Sequence, residues 1–376
     1  MRPERRLLLV GAGHAHLHLL RHAPRLAGAG YQVCLVAPRW FDYSGLAAAI
    51  AAGGHDPHEG RIDVGALARH AAVDHLRGMV VDVDPVARTA STDGGDRLTW
   101  DIVSFNIGSV TTADASTQIA AGTAGTVGVK PLDGLARLRE HLAGRPSGNG
   151  HRITVVGGGA SGIELAAHLG ARHDVDRVHL IESGDHVGGF LPPSARTRVL
   201  VLLEERGVRV RTGAQIELLD RTSVRLRDGT RWTHDLAVLA SGLSAPALAR
   251  RAPLGGLDGF PVRATLQHRD DDDVYAVGDC ADFLPASLPR TGVHGVRQGP
   301  VLLSAFEARA RGDRRPVYRP PRRTLSILDL GGGTALAVRG RRWWLGRSSL
   351  TVKRRIDRRW LARYRDGGSS PTAPGS

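Results

Sequence analysis

Short, largely apolar runs recur along the chain, and two of them end directly at a glycine-rich loop. Residues 7–10 (LLLV) precede the loop GAGHAH at 11–16, and residues 153–156 (ITVV) precede GGGASG at 157–162. Unbroken runs of this kind are typical of parallel strands that are buried on both faces. Each run therefore predicts a strand, a tight turn and the start of a helix, and we expect an α/β protein.

The same plan is repeated in two segments of the chain. Residues 1–110 alternate between predicted strands and helices, and residues 151–245 repeat this alternation. Between them, the sequence AGRPSGNG at 143–150 has the composition of a linker. Residues 322–347 predict short strands joined by three glycines, and residues 367–376 predict a disordered tail.

The second glycine loop has the full fingerprint of a dinucleotide-binding unit. Gly157, Gly159 and Gly162 hold its three glycine positions, and Glu182 closes the next predicted strand, twenty residues after Gly162. The glycines let the backbone approach a pyrophosphate, the helix N-terminus offers free N–H groups, and the acid binds the ribose hydroxyls. Because Ser183 rather than a basic residue follows Glu182, a 2′-phosphate would meet a negative charge, which favours NADH over NADPH.

The first glycine loop is a degenerate version of this fingerprint. Gly11 and Gly13 are present, but His16 stands at the third glycine position, and no acid follows the second predicted strand at 33–36. Support comes from YAVGDC at 275–280, a short predicted strand that ends in Gly-Asp, although an ordinary turn is the better explanation of a Gly-Asp pair taken by itself. Together the two loops suggest two dinucleotides held face to face, as in a flavoenzyme that takes hydride from a nicotinamide.

Length and composition set further bounds. The 376 residues are enough for two or three domains, each with its own core. No apolar run approaches the roughly 18 residues that cross a bilayer, so we expect the cytoplasm or the inner face of the cell membrane. Cys34 and Cys280 form neither a Cys-x-x-Cys pair nor a zinc spacing, so neither a redox dithiol nor a metal site is expected.

Positive charge is concentrated near the end of the sequence. Residues 309–366 hold 18 Lys or Arg and 4 Asp or Glu, a surplus of 14 that equals the net charge of the whole chain. Trp343, Trp344, Trp360 and Tyr364 lie among these charges. A basic, aromatic segment fits a helix on an anionic membrane surface, although many charge runs are simply solvated faces. Nucleic acid is not an expected partner, because no nucleic-acid-binding motif accompanies the charge.

With these residues in view, the chain resembles the pyridine-nucleotide–disulfide oxidoreductase superfamily and, within it, type II NADH dehydrogenase-like flavoproteins. It is most similar to the branch sometimes fused to selenophosphate synthase, in which a histidine at the position of His16 is typical. The resemblance covers nearly all of residues 5–364. It is carried by GAGHAH (11–16), DYSG (42–45), RID (61–63), SFNIGS (104–109), VKP (129–131), GGGASGIELA (157–166), VYAVGDCA (274–281), TGVHGVRQGP (291–300) and KRRIDRRW (353–360).

The resemblance implies an α/β fold with two Rossmann-like dinucleotide-binding domains, in which an inserted NADH domain splits the FAD domain. A small basic C-terminal region follows. The implied boundaries are 1–145 and 263–321 for the two parts of the FAD domain, 146–262 for the NADH domain, and 322–366 for the basic, aromatic region.

The resemblance also implies roles for single residues. Asp279 would hold the ribityl chain of FAD, the helix starting near Val293 would stabilise the reduced, anionic flavin, and Glu164 would be the catalytic residue near nicotinamide and flavin. The implied FAD-binding residues are Gly11, Gly13, His14, His16, Tyr43, Ser44, Gly108, Lys130, Gly278, Asp279 and Val293. The implied NADH-binding residues are Gly157, Gly159, Gly162, Glu182 and Gly242.

The implied activity is that of an FAD-dependent NADH dehydrogenase that passes hydride from NADH to flavin and electrons on to a quinone-type acceptor. Two departures from the pattern of quinone-reducing relatives keep the acceptor open. Gly292, Val293 and Arg297 replace an Ala-Gln-x-x-x-Gln motif, and residues 46–49 (LAAA) replace Met-Leu-Pro-Gly. The alternatives are a soluble NADH reductase for a protein or small-molecule acceptor, and an NADH-sensing flavoprotein that acts by binding a partner.

Overall fold

The structure is a computed structural model, and it describes residues 5–112, 117–119, 125–144 and 149–365. The tail expected at 367–376 lies outside the described residues. The first segment, up to residue 112, alternates strands and short helices. Its elements are β1 (Arg5–Val10), α1 (His14–Arg21), α2 (Ala23–Gly28), β2 (Tyr31–Ala37), β3 (Trp40–Asp42), α3 (Ala47–Ala51), β4 (Arg61–Asp63), α4 (Val64–His70), β5 (Asp74–Arg77), β6 (Val80–Asp84), β7 (Thr89–Thr92), β8 (Arg97–Thr99), β9 (Ile102–Phe105) and β10 (Val110–Thr111).

The middle segment repeats this plan around a second sheet. Its elements are β11 (Gln118–Ile119), β12 (Thr126–Gly128), α5 (Asp133–Ala143), β13 (His151–Val156), α6 (Ala160–Gly170), β14 (Val175–Ile181), α7 (Pro193–Glu205), β15 (Val208–Arg211), β16 (Ile216–Leu219), β17 (Ser223–Leu226), β18 (Arg231–Thr233) and β19 (Leu236–Leu239).

The last segment returns to the first sheet and then adds a sheet and a long helix. Its elements are β20 (Leu243–Ser244), α8 (Ala247–Arg251), β21 (Phe260–Val262), β22 (Val274–Ala276), β23 (Ala281–Phe283), α9 (Gly292–Arg311), β24 (Leu325–Asp329), β25 (Ala335–Arg339), β26 (Arg342–Gly346) and α10 (Arg347–Arg365).

Two five-stranded parallel sheets form the frame of the protein. The first has the order β22-β9-β1-β2-β5, and the second has the order β12-β19-β13-β14-β15. In each sheet the strand before a glycine loop, β1 or β13, is central. Loops at the carboxyl ends of central parallel strands meet in a crevice, which is where such sheets bind ligands. Because β22 follows the whole second sheet in sequence, the first domain is built from two separate segments.

The boundaries of the second domain differ from the sequence-based expectation of 146–262. β12 pairs in parallel with β19, and Leu135, Leu138 and Leu142 of α5 belong to the second core, so this domain already includes residues 126–143. At the other end, Phe260 and Val262 lie in the first core. The predicted linker therefore falls between α5 and β13, two elements of the same domain, and its residues 145–148 lie outside the described residues.

The basic C-terminal region is not separate from the two domains. Leu328, Leu336 and neighbouring side chains of the antiparallel sheet β24-β25-β26 belong to the second core. Trp360, Leu361 and Tyr364 of α10 belong to the first core. The region therefore spans both domains. No helix among the residues that the structure describes is long and apolar enough to cross a bilayer.

Candidate functional site

The first glycine loop is folded tightly against the end of β9. Gly11 has φ +83°, and a Cβ atom there would lie 2.7 Å from the carbonyl oxygen of Asn106. A Cβ on Gly13 would lie 2.5 Å from the Asn106 side chain. The chain therefore needs glycine at both positions. The loop places the start of α1 at the edge of the first sheet.

His16 takes over a structural role in place of the third glycine. Its Nδ1 lies 2.6 Å from the Gly11 carbonyl oxygen, and its Nε2 lies 2.9 Å from the Ser104 hydroxyl. A carbonyl can only accept, so Nδ1 carries the proton and Nε2 accepts from Ser104. Burial lowers the pKa of His16 to about 4, which keeps the ring neutral. His16 thus braces the loop from inside, with its whole side chain buried.

Asn106 is a site residue that the sequence reasoning did not single out. Its Oδ1 accepts hydrogen bonds from the backbone N–H groups of Ala15, at 3.0 Å, and His16, at 3.2 Å. Its Nδ2 donates to the carbonyl oxygen of Val277 at 2.9 Å. The side chain therefore fastens the start of α1 to the strand end that leads into Asp279. Asn106 lies in the motif SFNIGS, but the sequence-based prediction named only Gly108 from that motif.

Asp279 and Lys130 come together although 149 positions separate them. The Asp279 carboxylate accepts from the Lys130 ammonium and, at 2.9 Å, from the Ser109 hydroxyl. Next to it, the backbone N–H of Gly278 donates to Oε1 of the buried Gln298 at 2.6 Å. The carboxylate is thus held in one orientation beside the end of β9, where Gly108 has open space on its Cα.

The start of α9 faces the start of α1. The helix begins at Gly292, with half-buried Val293 in its first turn, and a Cβ on Gly292 would lie 3.1 Å from Cε1 of His14. Enclosure lowers the pKa of His14 to about 4, so its ring is neutral. Aromatic side chains complete this corner, because Trp360 of α10 stacks on Tyr43 at 4.6 Å and approaches His14 to 5.0 Å. Ser44 follows Tyr43 and is exposed.

The second glycine loop borders an open cavity of about 290 Å³. Gly157 has φ +109°, and a Cβ on Gly162 would lie 1.8 Å from the Gly157 carbonyl oxygen, so α6 packs directly on its strand. Gly159, at the start of α6, has open space beside its Cα. The cavity brings together four of the five predicted NADH residues, and Gly162 lies beneath it. Its lining includes Gly157, Gly159, Ile181, Glu182, Ser183, Gln215, Ser241 and Gly242.

Two backbone N–H groups fix the orientation of Glu182. Oε2 accepts from Gly158 at 2.6 Å, and Oε1 accepts from Gly184 at 2.7 Å. Oε1 also accepts from the Ser183 hydroxyl at 3.4 Å, whereas Oε2 keeps a further lone pair with which it can accept a hydrogen bond from a ribose.

Glu164 lies on α6, where it meets the C-terminal region rather than solvent. Its Oε1 accepts from the backbone N–H of Asp329 at 2.7 Å. Burial raises the pKa of Glu164 to about 7, while the charge of Lys353 opposes this shift. Its carboxyl group therefore exchanges a proton near neutral pH, at the oxygen that does not face Asp329.

Arg290 joins the two clefts, and the sequence reasoning missed it. Its guanidinium donates to the carbonyl oxygen of Asp279 at 3.2 Å and to that of Leu243, next to Gly242, at 2.9 Å. A single arginine therefore links the backbone of the Asp279 corner to the backbone at the rim of the second cleft. No pattern in the sequence marked this arginine among the many others.

Comparison with known proteins decides the family. The sequence profile of the pyridine nucleotide-disulphide oxidoreductases matches residues 5–299. The chain belongs to this family. A type II NADH:quinone oxidoreductase of Haemophilus influenzae is 30% identical over 151 residues, which cover 36% of this chain and 34% of that protein. An NADH dehydrogenase-like protein of Mycobacterium tuberculosis is 30% identical over 236 residues, covering 59% of this chain and 58% of that one.

The solved structures show the same fold. The NDH2 of Plasmodium falciparum, in complex with NADH, superposes with a TM-score of 0.79 at 13% identity and covers 96% of this chain and 98% of that one. The expected α/β architecture with Rossmann-like domains is therefore confirmed. The chain spans only 34% and 58% of the length of these two curated relatives.

As a member of the pyridine nucleotide-disulphide oxidoreductases, the chain has FAD and NAD(H) as its cofactors, and its residues fit both. Gly108 and Gly159 each leave open space beside a strand end or helix start, where a phosphate-bearing ligand meets backbone N–H groups. Asp279, held by Lys130, and Glu182, held by two backbone N–H groups, are the carboxylates that can accept from sugar hydroxyls.

Proposed function

We propose that this chain is an FAD-dependent NADH dehydrogenase that passes electrons to a quinone-type acceptor. The observation that carries the proposal is the link through Arg290, because it holds the Asp279 corner and the rim of the Glu182 cleft against each other. Hydride transfer needs the two cofactors at one interface, with the reacting atoms in contact.

The residues that hold NADH are those of the second cleft. Gly159 and the start of α6 bind the pyrophosphate, and Glu182 accepts from the ribose hydroxyls and repels a 2′-phosphate. Glu164 lies farther along α6, and its raised pKa of about 7 lets its carboxyl group take up or release a proton near neutral pH. It orients the nicotinamide or supplies that proton when the acceptor is reduced.

The residues that hold FAD are those of the first cleft. The start of α1 binds the pyrophosphate, and Asp279 accepts from the ribityl chain. When bound, FAD supplies a ring system that accepts a hydride and releases electrons. The N-terminus of α9 would offer its positive dipole end to such a ring, and the neutral ring of His14 beside this N-terminus adds no competing charge.

A dithiol relay has no place in this scheme. Both cysteines are free, and burial raises the pKa of the Cys280 thiol to about 12. Burial also raises the pKa of Cys34. A protonated thiol is a poor nucleophile, so neither cysteine is suited to relay electrons.

The quinone as acceptor draws support from the outer face of α10, defined here as Val352, Arg355, Ile356, Arg359 and Arg363. Val352 and Ile356 are 39% and 47% exposed, and the three arginines form no ion pair within the described residues. An apolar strip flanked by arginines suits an anionic membrane surface, where quinones are dissolved. Trp360, one turn after Ile356, is buried and stacks on Tyr43, so this outer face borders the side of the helix that packs on the protein.

Stopped-flow spectroscopy tests the proposal. The purified protein should carry FAD, NADH should bleach the flavin within one turnover, and a quinone in liposomes should restore its colour faster than a soluble protein acceptor. Preferential reoxidation by soluble acceptors would support the soluble reductase instead. Reduction without turnover on any acceptor would favour the sensor, and failure of NADH to reduce the flavin would contradict all three.

A further inference from the structure

Two charged side chains of α10 are buried at its contact with the Tyr43 turn. The Nζ of Lys353 lies 2.8 Å from Oδ2 of Asp357, one helical turn away, and their side chains are only 8% and 7% exposed. Burying an ion pair costs solvation free energy, and well-packed apolar residues often stabilise a fold equally well. Attaching α10 to the first domain therefore does not by itself explain why a buried ion pair is found at this contact.

Each member of the pair also bonds to the turn that follows β3. Lys353 donates to the carbonyl oxygen of Gly45 at 2.6 Å, and Asp357 accepts from the Tyr43 hydroxyl at 2.8 Å. The Tyr43 ring is further stacked on Trp360, with 18° between the ring planes. Three contacts from a single helix therefore fix both the backbone and the ring of this turn.

The turn also holds the Tyr43 ring close to the backbone of Gly45. A Cβ on Gly45 would lie 2.4 Å from Cε1 of Tyr43, so the tyrosine ring lies directly over its own turn. Burial and the neighbouring Asp357 carboxylate raise the pKa of Tyr43, so the hydroxyl keeps the proton that it donates.

The same pair lies beside the groups that come from the second domain. Lys353 and Asp357 exert opposite electrostatic effects on Glu164 of α6, since the ammonium stabilises its carboxylate and the Asp357 carboxylate destabilises it. Lys353 also stabilises the Asp329 carboxylate, which His168 approaches to 3.3 Å. The groups facing the pair are thus Glu164, Asp329 and Tyr43.

We propose that Lys353 and Asp357 are positioning residues of the flavin site, which fix the Tyr43–Gly45 turn on one side and face Glu164 on the other. This inference rests on the proposed NADH dehydrogenase function. In it α10 belongs to the flavin site, because its buried ion pair fixes the backbone and the ring of the turn that carries Tyr43.

Three substitutions test the inference in the full-length, FAD-loaded protein. Tyr43→Phe removes one hydroxyl, Asp357→Asn removes the negative charge, and Lys353→Met removes the positive charge at similar volume. Arg354→Gln, on the exposed side of α10, is the matched control. The measurements are FAD content and the rate constant for flavin reduction by NADH as a function of pH.

We expect all three variants to retain FAD and to be reduced on the order of tenfold more slowly, the effect of losing one hydrogen bond to a charged group. The pH profiles should move in opposite directions. Lys353→Met shifts the Glu164-dependent limb to higher pH, Asp357→Asn shifts it to lower pH, and Tyr43→Phe leaves it in place. A merely structural role would not produce shifts of opposite sign.

The outcomes separate this inference from the proposed function. If NADH does not reduce the flavin of the parent protein, the proposed function fails. If the parent is reduced and the variants match it in rate and profile, or shift in the same direction, the inference is overturned while the function stands. If the two charge variants fail to fold, Tyr43→Phe decides, and parent-like reduction in that variant overturns the inference.

Discussion

Glu164 and Asp329 are joined across the contact between the second domain and the C-terminal sheet, with the Asp329 N–H donating to Oε1 of Glu164 at 2.7 Å. The contact encloses a carboxyl group that would otherwise face solvent on the surface of α6. Burial then raises its pKa to about 7, despite the nearby Lys353 ammonium.

This raised pKa makes the stability of the folded protein depend on pH. Between about pH 4.5 and pH 7 the unfolded chain loses the Glu164 proton while the folded chain retains it, so stability falls as the pH rises. The Glu164→Gln variant keeps the acceptor for the Asp329 N–H. Over this pH range we expect its free energy of unfolding to fall by about 2–3 kcal/mol less than that of the parent protein. Urea unfolding of both proteins across this pH range measures it. Parallel stability curves would contradict the assignment.

Asp279 should anchor FAD through charge-assisted hydrogen bonds. We expect Asp279→Ala to weaken FAD binding about ten- to hundredfold, because a hydrogen bond to a charged group is lost and the Lys130 ammonium is left unpaired. The ratio of flavin to protein absorbance after gel filtration measures retention. Asp270→Ala, at an exposed carboxylate, is the control. Equal retention in both variants would remove Asp279 from the site.

Glu182 should determine the choice between NADH and NADPH. Glu182→Arg replaces the carboxylate by a cation that can pair with a 2′-phosphate, so the preference for NADH should narrow or reverse, on the order of tenfold or more. Flavin reduction rates at a series of NADH and NADPH concentrations give the ratio. Asp185→Arg adds the same charge at an exposed neighbour and should leave the ratio unchanged. A parent protein that uses both cofactors equally would refute this role.

His16 should stabilise its loop more than the missing glycine would. His16→Gly restores the usual fingerprint, yet it removes the bonds to Gly11 and Ser104, leaves a cavity and places glycine inside a helix. We expect a loss of about 2–4 kcal/mol in the free energy of unfolding. Urea denaturation of the FAD-free proteins measures it without a contribution from cofactor binding. A variant as stable as the parent would show that the two hydrogen bonds contribute little.

Membrane binding should depend on the outer face of α10. Arg355→Glu with Arg359→Glu should reverse the local charge and abolish sedimentation with anionic liposomes at low salt, since each basic residue near such a surface contributes about 1 kcal/mol. Arg250→Glu with Arg251→Glu makes the same charge change in α8 and should have little effect. Deleting the helix would be a poor test, because Trp360 and Tyr364 belong to the first core. Binding that survives the α10 change would favour a soluble enzyme.

The sequence predicted the two glycine loops well because their chemistry is local. A strand, a glycine turn and a helix start follow one another within a few residues, and Glu182 lies one strand further on. The same locality explains the misplaced domain boundary. β12 is three residues long and pairs with β19, more than a hundred residues later, so nothing in its own composition reveals which sheet it joins.

The sequence did not predict which residues of α10 are buried, for a related reason. Arginines surround Lys353 and Asp357 in sequence, so the segment has the composition of a solvated face. Only the helical spacing of Lys353, Asp357 and Trp360 distinguishes the buried side, and their partners lie some three hundred positions away. Whether this helix packs on the protein or on a membrane was left open by the sequence, and the structure shows that its inner side packs on the first domain.

The stacking of Trp360 on Tyr43 also joins two distant parts of the sequence. The Tyr43 hydroxyl and the Asp357 carboxylate are 314 positions apart, so the ribosome has released most of the chain before the two can meet. Bringing together two ends so far apart costs conformational entropy, which the contacts between them must offset. The aromatic wall of the first cleft is thus completed by a helix that follows every strand of both parallel sheets in the sequence.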